Sequence, residues 1–370
     1  MTDTYGQFLD RMPKAELHCH LTGTVRAATF AEFAEREKMQ LPSDPHSIFD
    51  RINSKPPSAA DYPNTHIPIP SGPGPDEPDP SYSLFQVSDW VKRSMTRLDD
   101  FTRIAYEALQ DAREKSNTQY LELFIDPQEE GMWSFTYPQL VDAYIAGMEA
   151  AETDFGIRSN LIAAIDRSKS GAHAVAVVEE VLANPRDRVV GIGLDNLETA
   201  GPPQRFIEAY QLAGRGGLRR TAHSSEHAPL ASNTIVCLDE LGCDRIDHGY
   251  FILEDDAVVE RCRDEGVPFT CIFTTSRRSW RPWRRASIVE MVKRGITVTL
   301  SSDDPGMFPT TLAGEYRIAG LDLGFDRTQM RKICLDAIDA AWIDDAEKKK
   351  MHRDFTAELD ALEEELFSQP

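Results

Sequence analysis

Short apolar runs alternate with longer stretches of helical period through most of the chain. Eight runs read as strands: Ala15–His20, Gln119–Ile125, Ser159–Ile165, Val189–Leu194, Leu218–His223, Arg245–Gly249, Pro268–Phe273 and Thr297–Ser302. Between them lie Phe101–Lys115, Tyr137–Asp154, Ala172–Ala183, Pro203–Gly214, Thr234–Leu241, Ala257–Glu265 and Ser287–Arg294, which carry the helical apolar period. Several strands are apolar at successive positions, as in a parallel sheet covered on both faces. Eight strand–helix units in a chain of 370 residues predict an α/β fold, a (β/α)₈ TIM-type barrel. A doubly wound open sheet would place a Gly-rich phosphate loop after the first strand, and none stands there.

Two segments depart from the rhythm. Pro56 to Pro80 holds nine prolines and no periodic pattern. It sits in an insertion, residues 42–83, between the first and second strands. It reads either as a solvated linker or as a lid over the C-terminal end of the barrel. The tail, residues 344–370, has an apolar stripe at Phe355, Leu359, Leu362 and Leu366, expected to form a packing helix. Residues 1–370 are read as one barrel domain carrying both additions.

The strand ends carry the chemistry. His18 and His20, two apart on one strand, point the same way and can share a metal ion, whereas Cys19 between them faces away. His223 ends the fifth strand and Glu226 follows it. In a dry, metal-containing cavity that carboxyl can stay protonated near neutral pH, ready to donate. His227 reads as a supporting or loop residue. His248 ends the sixth strand, placed as a base or electrostatic stabiliser. Asp303 and Asp304 close the eighth; alternation on a strand gives them different tasks, one on the metal and one on substrate. His18, His20, His223 and Asp303 make three nitrogens and one oxygen, a set suited to one Zn²⁺ with a position open for water. The fourth strand offers no lysine to bridge a second metal.

Charge and thiols narrow the context. A net charge of −21 repels phosphates and argues against nucleic acid or anionic membranes as partners, leaving a small-molecule substrate. No secretory signal and no membrane-length apolar run is visible, and six scattered cysteines without a CxxC pair read as reduced thiols. A cytoplasmic enzyme is expected. Against this acidic background Arg277, Arg278, Arg281, Arg284 and Arg285, interleaved with Trp280 and Trp283, form a basic cluster after the seventh strand. It reads as a surface loop paired with acids, or as a clamp for a substrate phosphate or carboxylate.

Pro13-Lys14-Ala15-Glu16-Leu17-His18-Cys19-His20-Leu21, Thr221-Ala222-His223-Ser224-Ser225-Glu226, Arg245-Ile246-Asp247-His248-Gly249 and Ser302-Asp303-Asp304-Pro305, in this order, resemble the adenosine deaminase family of the amidohydrolase superfamily. The resemblance implies a zinc-dependent aminohydrolase acting on adenosine or a related 6-aminopurine, with one Zn²⁺ per subunit on His18, His20, His223 and Asp303. It implies that Glu226 protonates ring nitrogen N1, that His248 assists the attacking hydroxide and that Asp304 bonds N7. His20, Thr22 and Asn196 are the further candidates for substrate contact. Departures fall on the substrate side. Thr22 stands for an acidic residue, Ser225 and Asn196 for glycines, Phe124 for an arginine, and Phe273-Thr274-Thr275-Ser276 for P-x-S-N. Alternative readings are deamination of adenine or of a modified or phosphorylated adenine nucleoside, hydrolysis of another C–N bond, and a catalytically silent metal-binding barrel.

Overall fold

The computed structural model describes residues 4–52, 81–127, 134–275, 278–308 and 310–368. Eight parallel strands follow one another around a nearly closed barrel: β1 Lys14–His20, β2 Thr118–Ile125, β3 Arg158–Asp166, β4 Val189–Asp195, β5 Arg219–Ser224, β6 Ile246–His248, β7 Pro268–Cys271 and β8 Thr297–Leu300. Helices Leu98–Ser116, Tyr137–Phe155, Gly171–Ala183, Ile207–Arg215, Ala231–Asp239, Asp256–Asp264 and Arg281–Lys293 alternate with them, and the predicted (β/α)₈ architecture stands. β6, β7 and β8 are shorter than the apolar runs suggest, because the residues just past them turn to present the site. Helix Arg281–Lys293 starts six residues earlier than the apolar period of Ser287–Arg294 indicates. Pro282 sits in its first turn, where a missing N–H costs nothing, and Trp283 is buried.

The seam between the last and first strands closes just beyond β8. Asp303 N donates to His18 O (3.2 Å) and His20 N to Asp303 O (2.7 Å). The helices bury the main core against the outside of the barrel, while a separate small cluster of Phe124, Ile162, Ala164 and Trp342 fills the inside. Two glycines of β4 make room for it. A methyl group at Gly191 would overlap Trp342, and one at Gly193 would overlap Phe124.

Both ends of the insertion are ordered. Helix Pro45–Phe49 precedes a parallel bridge between Ile52 and Tyr82, and helix Leu84–Ser94 follows. The proline-rich run at 53–80, expected as linker or lid, lies outside the described residues. Helix Asp345–Phe367 buries Phe355, Leu359 and Leu362, with Leu366 partly covered, as its stripe predicts. All six cysteines are buried and free. Among the described residues no helix is long and apolar enough to cross a membrane.

One ion pair sits inside the barrel wall. Arg245, just ahead of β6, places Nη2 2.6 Å from Glu122 Oε2, with both side chains essentially inaccessible. Glu122 Oε1 also accepts from Trp342 N (2.6 Å) and Tyr120 Oη (2.8 Å), and the guanidinium lies 3.9 Å over the Trp342 ring. Removing one partner leaves a buried charge uncompensated. Glu122→Gln is therefore expected to lose about 3–5 kcal/mol in denaturant unfolding, and the double variant Glu122→Met/Arg245→Met distinctly less.

Candidate functional site

The ends of β1, β5 and β8 bring His18, His20, His223 and Asp303 together. One donor atom from each lies within 4.8 Å of the others. His20 Nε2 is 3.1 Å from His223 Nε2, and Asp303 Oδ1 is 3.2 Å from His18 Nε2 and 3.4 Å from His20 Nε2. His18 Nε2 is buried with no hydrogen-bond partner. Three imidazole nitrogens and a carboxylate oxygen converging on one point, one of them orphaned, fit a divalent cation better than any set of mutual hydrogen bonds. Burial pushes His20 down to about 4, keeping it neutral as a ligand must be. Cys19 lies off the cluster, against Ser302, as strand parity predicts.

The imidazoles are held from behind. His18 Nδ1 meets Thr270 Oγ1 at 3.0 Å, and that hydroxyl donates to Asp247 Oδ1 (2.9 Å), whose Oδ2 is 3.3 Å from His223 Nδ1. Burial raises the Asp247 carboxyl, but His18, His223 and Arg245 outweigh it and hold it ionised. Phe124 packs against the rings of His18 (5.2 Å), His20 (4.9 Å) and His223 (5.6 Å), an apolar floor beneath them.

Glu226 sits on the turn after β5. Glu198, from the segment after β4, accepts backbone N–H bonds from Ser225 (2.7 Å), Glu226 (2.9 Å), His227 (3.0 Å) and Ala228 (3.3 Å), and one from Asn233 Nδ2 (3.1 Å). One carboxylate thus fixes the whole turn. Glu226 Oε1 takes Arg284 Nη2 at 3.0 Å, and Oε2 faces His227 Nδ1 (3.0 Å) and His248 Nε2 (3.5 Å). Burial pushes the Glu226 carboxyl up, and its contacts with His227 and Arg284 pull it down, for a net displacement below the usual carboxylate range. His248 is buried and held neutral. Its Nδ1 is 3.1 Å from Tyr250 Oη, which accepts from Ile272 N (3.1 Å) and donates to Ile272 O (3.2 Å). That pairing directs Nδ1–H toward Tyr250 and leaves Nε2 facing the pocket.

Asp303 and Asp304 both line the pocket, Asp303 within the donor cluster and Asp304 beside it. Asp303 has left-handed backbone, φ 64°, and so do His248 (φ 69°), Asn196 (φ 74°) and Ser225 (φ 52°), all lining or adjoining the pocket. Asp304 lies where any side chain at position 23 would be, so Gly23 is needed beside it. Burial, then Asp303 and Glu226, push its carboxyl well above the usual range. Thr22 and Asn196 also line the pocket, with Leu84, Phe85, Ser88 and Lys92 of helix Leu84–Ser94 forming one wall. Lys92 Nζ pairs with Asp126 at 3.0 Å across that wall.

The described arginines of the cluster stand away from the pocket lining. Arg277 lies outside the described residues. Arg278 bonds Asp50 O (2.9 Å), Arg285 lies 3.7 Å from Asp322, and Trp280 and Trp283 are core. Arg284 alone reaches the site, from beneath.

The sequence matches the adenosine deaminase family over residues 78–357. The chain belongs to that family. It is 29% identical over 347 residues to an adenine deaminase of Rhodospirillum rubrum, covering 93% of this chain and 96% of that one. A zinc-bound amidohydrolase of Burkholderia ambifaria superposes with a TM-score of 0.86 at 29% identity, over 100% of this chain and 96% of its own. An adenine deaminase of Arthrobacter aurescens gives a TM-score of 0.78 at 27% identity, over 94% and 98%. As an adenosine deaminase family member the protein is a metal-dependent hydrolase of C–N bonds.

Within the family pattern, the departures at Asn196 and Ser225 become intelligible. Both keep the left-handed backbone that a glycine would adopt freely. Phe124 exchanges the family's arginine for the apolar floor, admitted by Gly193. Sequence reading missed Glu198, Asp247 and Arg284 as supports. For Asp247 a signal existed, a carboxylate adjoining His248; for Arg284 only its place after β7 pointed inward. Outer-shell partners of metal-binding histidines typically contribute about 10–100-fold to affinity or activity. Asp247→Asn is expected to weaken divalent-ion binding by that order, read by chelator competition on protein whose unfolding temperature is checked in parallel.

Proposed function

We propose that this protein hydrolytically deaminates a 6-aminopurine, with free adenine preferred over adenosine. The observation that carries the reading is the convergence of His18, His20, His223 and Asp303 with Glu226, His248 and Asp304 on one pocket. Three features favour the base over the nucleoside. Thr22 stands where the family has an acidic residue for the sugar end. The pocket's volume is about 100 Å³, well below the roughly 300–1,000 Å³ of sites for larger ligands. Most of the curated relatives that span nearly the whole chain are named adenine deaminases.

Three imidazoles and a carboxylate suit Zn²⁺, and His18, His20, His223 and Asp303 would hold it. A zinc ion there makes hydroxide available near neutral pH. The protein's own groups handle the protons. Glu226, held as a carboxylate, takes a proton from the attacking water and delivers it to N1 as the C6–O bond forms. His248, with Nε2 toward the pocket, orients that water. Asp304, kept protonated by burial beside Asp303, donates to N7 and draws charge from the ring. The C6–N6 bond then breaks, the remaining hydroxyl proton leaves with the nitrogen as ammonia, and the 6-oxopurine remains. Asn196 borders the ring at the β4 end, His20 and Thr22 at the β1 end. Phe124 keeps water from the underside of the imidazoles.

Ammonia release from zinc-loaded protein against adenine, adenosine, AMP and N6-substituted adenines tests this. Adenine is expected to exceed adenosine in kcat/KM by roughly 10–100-fold, the scale on which pocket fit discriminates. Glu226→Gln should lower kcat by about 10²–10⁴-fold with metal content unchanged. Fully loaded wild-type protein that releases ammonia from no 6-aminopurine would leave the silent barrel as the better account.

A further inference from the structure

Arg284 is the member of the arginine cluster that the sequence leaves without a task. Its guanidinium is 1% exposed. It reaches Glu226 Oε1 at 3.0 Å with Nη2, spends Nη1 on the carbonyl of Thr275 and lies 4.6 Å over the Tyr250 ring. Tyr250 is the residue whose hydroxyl holds His248 Nδ1. One cation therefore touches one proton-handling group directly and the support of the other. Thr275 belongs to the segment after β7, so the same guanidinium ties that loop to Glu226.

Resting on the deaminase reading above, we infer that Arg284 is a positioning residue that fixes the Glu226 carboxylate and, through Tyr250, the His248 ring in a single working geometry. A helix side chain suits this task because Trp280 and Trp283 anchor the first turn of Arg281–Lys293 in the core. Arginine is required over lysine. Only a planar fork can serve Glu226 and the Thr275 carbonyl while stacking on an aromatic face. His227, His248 and Arg284 are the cationic or cationisable groups facing Glu226, with Asp303 and Asp304 opposing across the pocket.

The test compares wild type, R284M, R284K, R284A and Y250F as zinc-loaded proteins, with metal content and unfolding temperature recorded for each. R284M is expected to lose about 10–100-fold in kcat, the scale of outer-shell support, with KM for adenine changed far less. The limb of the kcat/KM pH profile belonging to Glu226 should move upward once the neighbouring cation is gone. R284K should recover only part of the rate, Y250F should lower kcat without moving that limb, and added guanidinium should partly restore R284A. A purely structural arginine would instead lower metal content and unfolding temperature together, with no rescue and an unmoved pH profile. That result, or an R284M variant with wild-type kcat and pH profile, overturns the inference. Should wild type turn over no 6-aminopurine, the deaminase reading fails by itself. The ¹³C-carboxyl NMR titration of Glu226 in wild type and R284M still decides the pairing, and an unmoved titration overturns it.

Discussion

Everything at this site depends on the seam where the last strand meets the first. Asp303 is hydrogen-bonded through its backbone to both His18 and His20, and through its carboxylate faces the Nε2 atoms of the same two residues. Barrel closure and ligand convergence are thus one event. His223 joins from β5, across the barrel, and is brought into range only because the cylinder is closed at the correct diameter. A site assembled this way inherits the rigidity of a continuous parallel sheet, which suits a cluster whose donor atoms must hold position without a soft loop among them.

The second organising constraint is the cost of buried charge. Three of the carboxylates enclosed by this fold are met by specific sets of donors. Glu198 takes four backbone amides and a side-chain amide, Glu122 takes Arg245 with two further donors, and Glu226 takes Arg284 and His227. Such complete satisfaction makes buried charge tolerable and ties distant segments together. The segment after β4 is locked to the turn after β5, and the helix after β7 to the same turn from the other side. Glu226 therefore sits between two independent braces, one on its backbone and one on its side chain.

The architecture was legible because parallel strands buried on both faces leave long apolar runs, and because His18 and His20 share strand parity. The clustering of His18, His20, His223 and Asp303 could be expected from strand ends for the same reason. What could not be read has a physical cause in each case. The pairing of Glu226 with Arg284 joins positions 58 residues apart in the sequence, and parity says nothing about a helix side chain arriving from outside the sheet. The left-handed backbone at Asp303 was not legible, because aspartate enters that region more readily than most residues but only at some of its positions. Of the two readings of the arginine cluster, the clamp gains no support from the described residues, because interleaved tryptophans pull its helix inward. Helix Leu84–Ser94 was missed because its apolar positions adjoin the proline-rich stretch, yet it supplies a wall of the pocket.

The two former glycine positions have a consequence for the thermodynamics of the whole chain. Asn196 and Ser225 hold a conformation that disfavours a side chain, a native-state penalty of about 1–3 kcal/mol each. Yet each also narrows the wandering of the denatured polypeptide relative to glycine, which offsets part of that penalty from the opposite side of the equilibrium. The loops that border the pocket are consequently stiffer before folding as well as after it. A catalytic mouth built from them has fewer floppy alternatives to freeze out when a purine arrives.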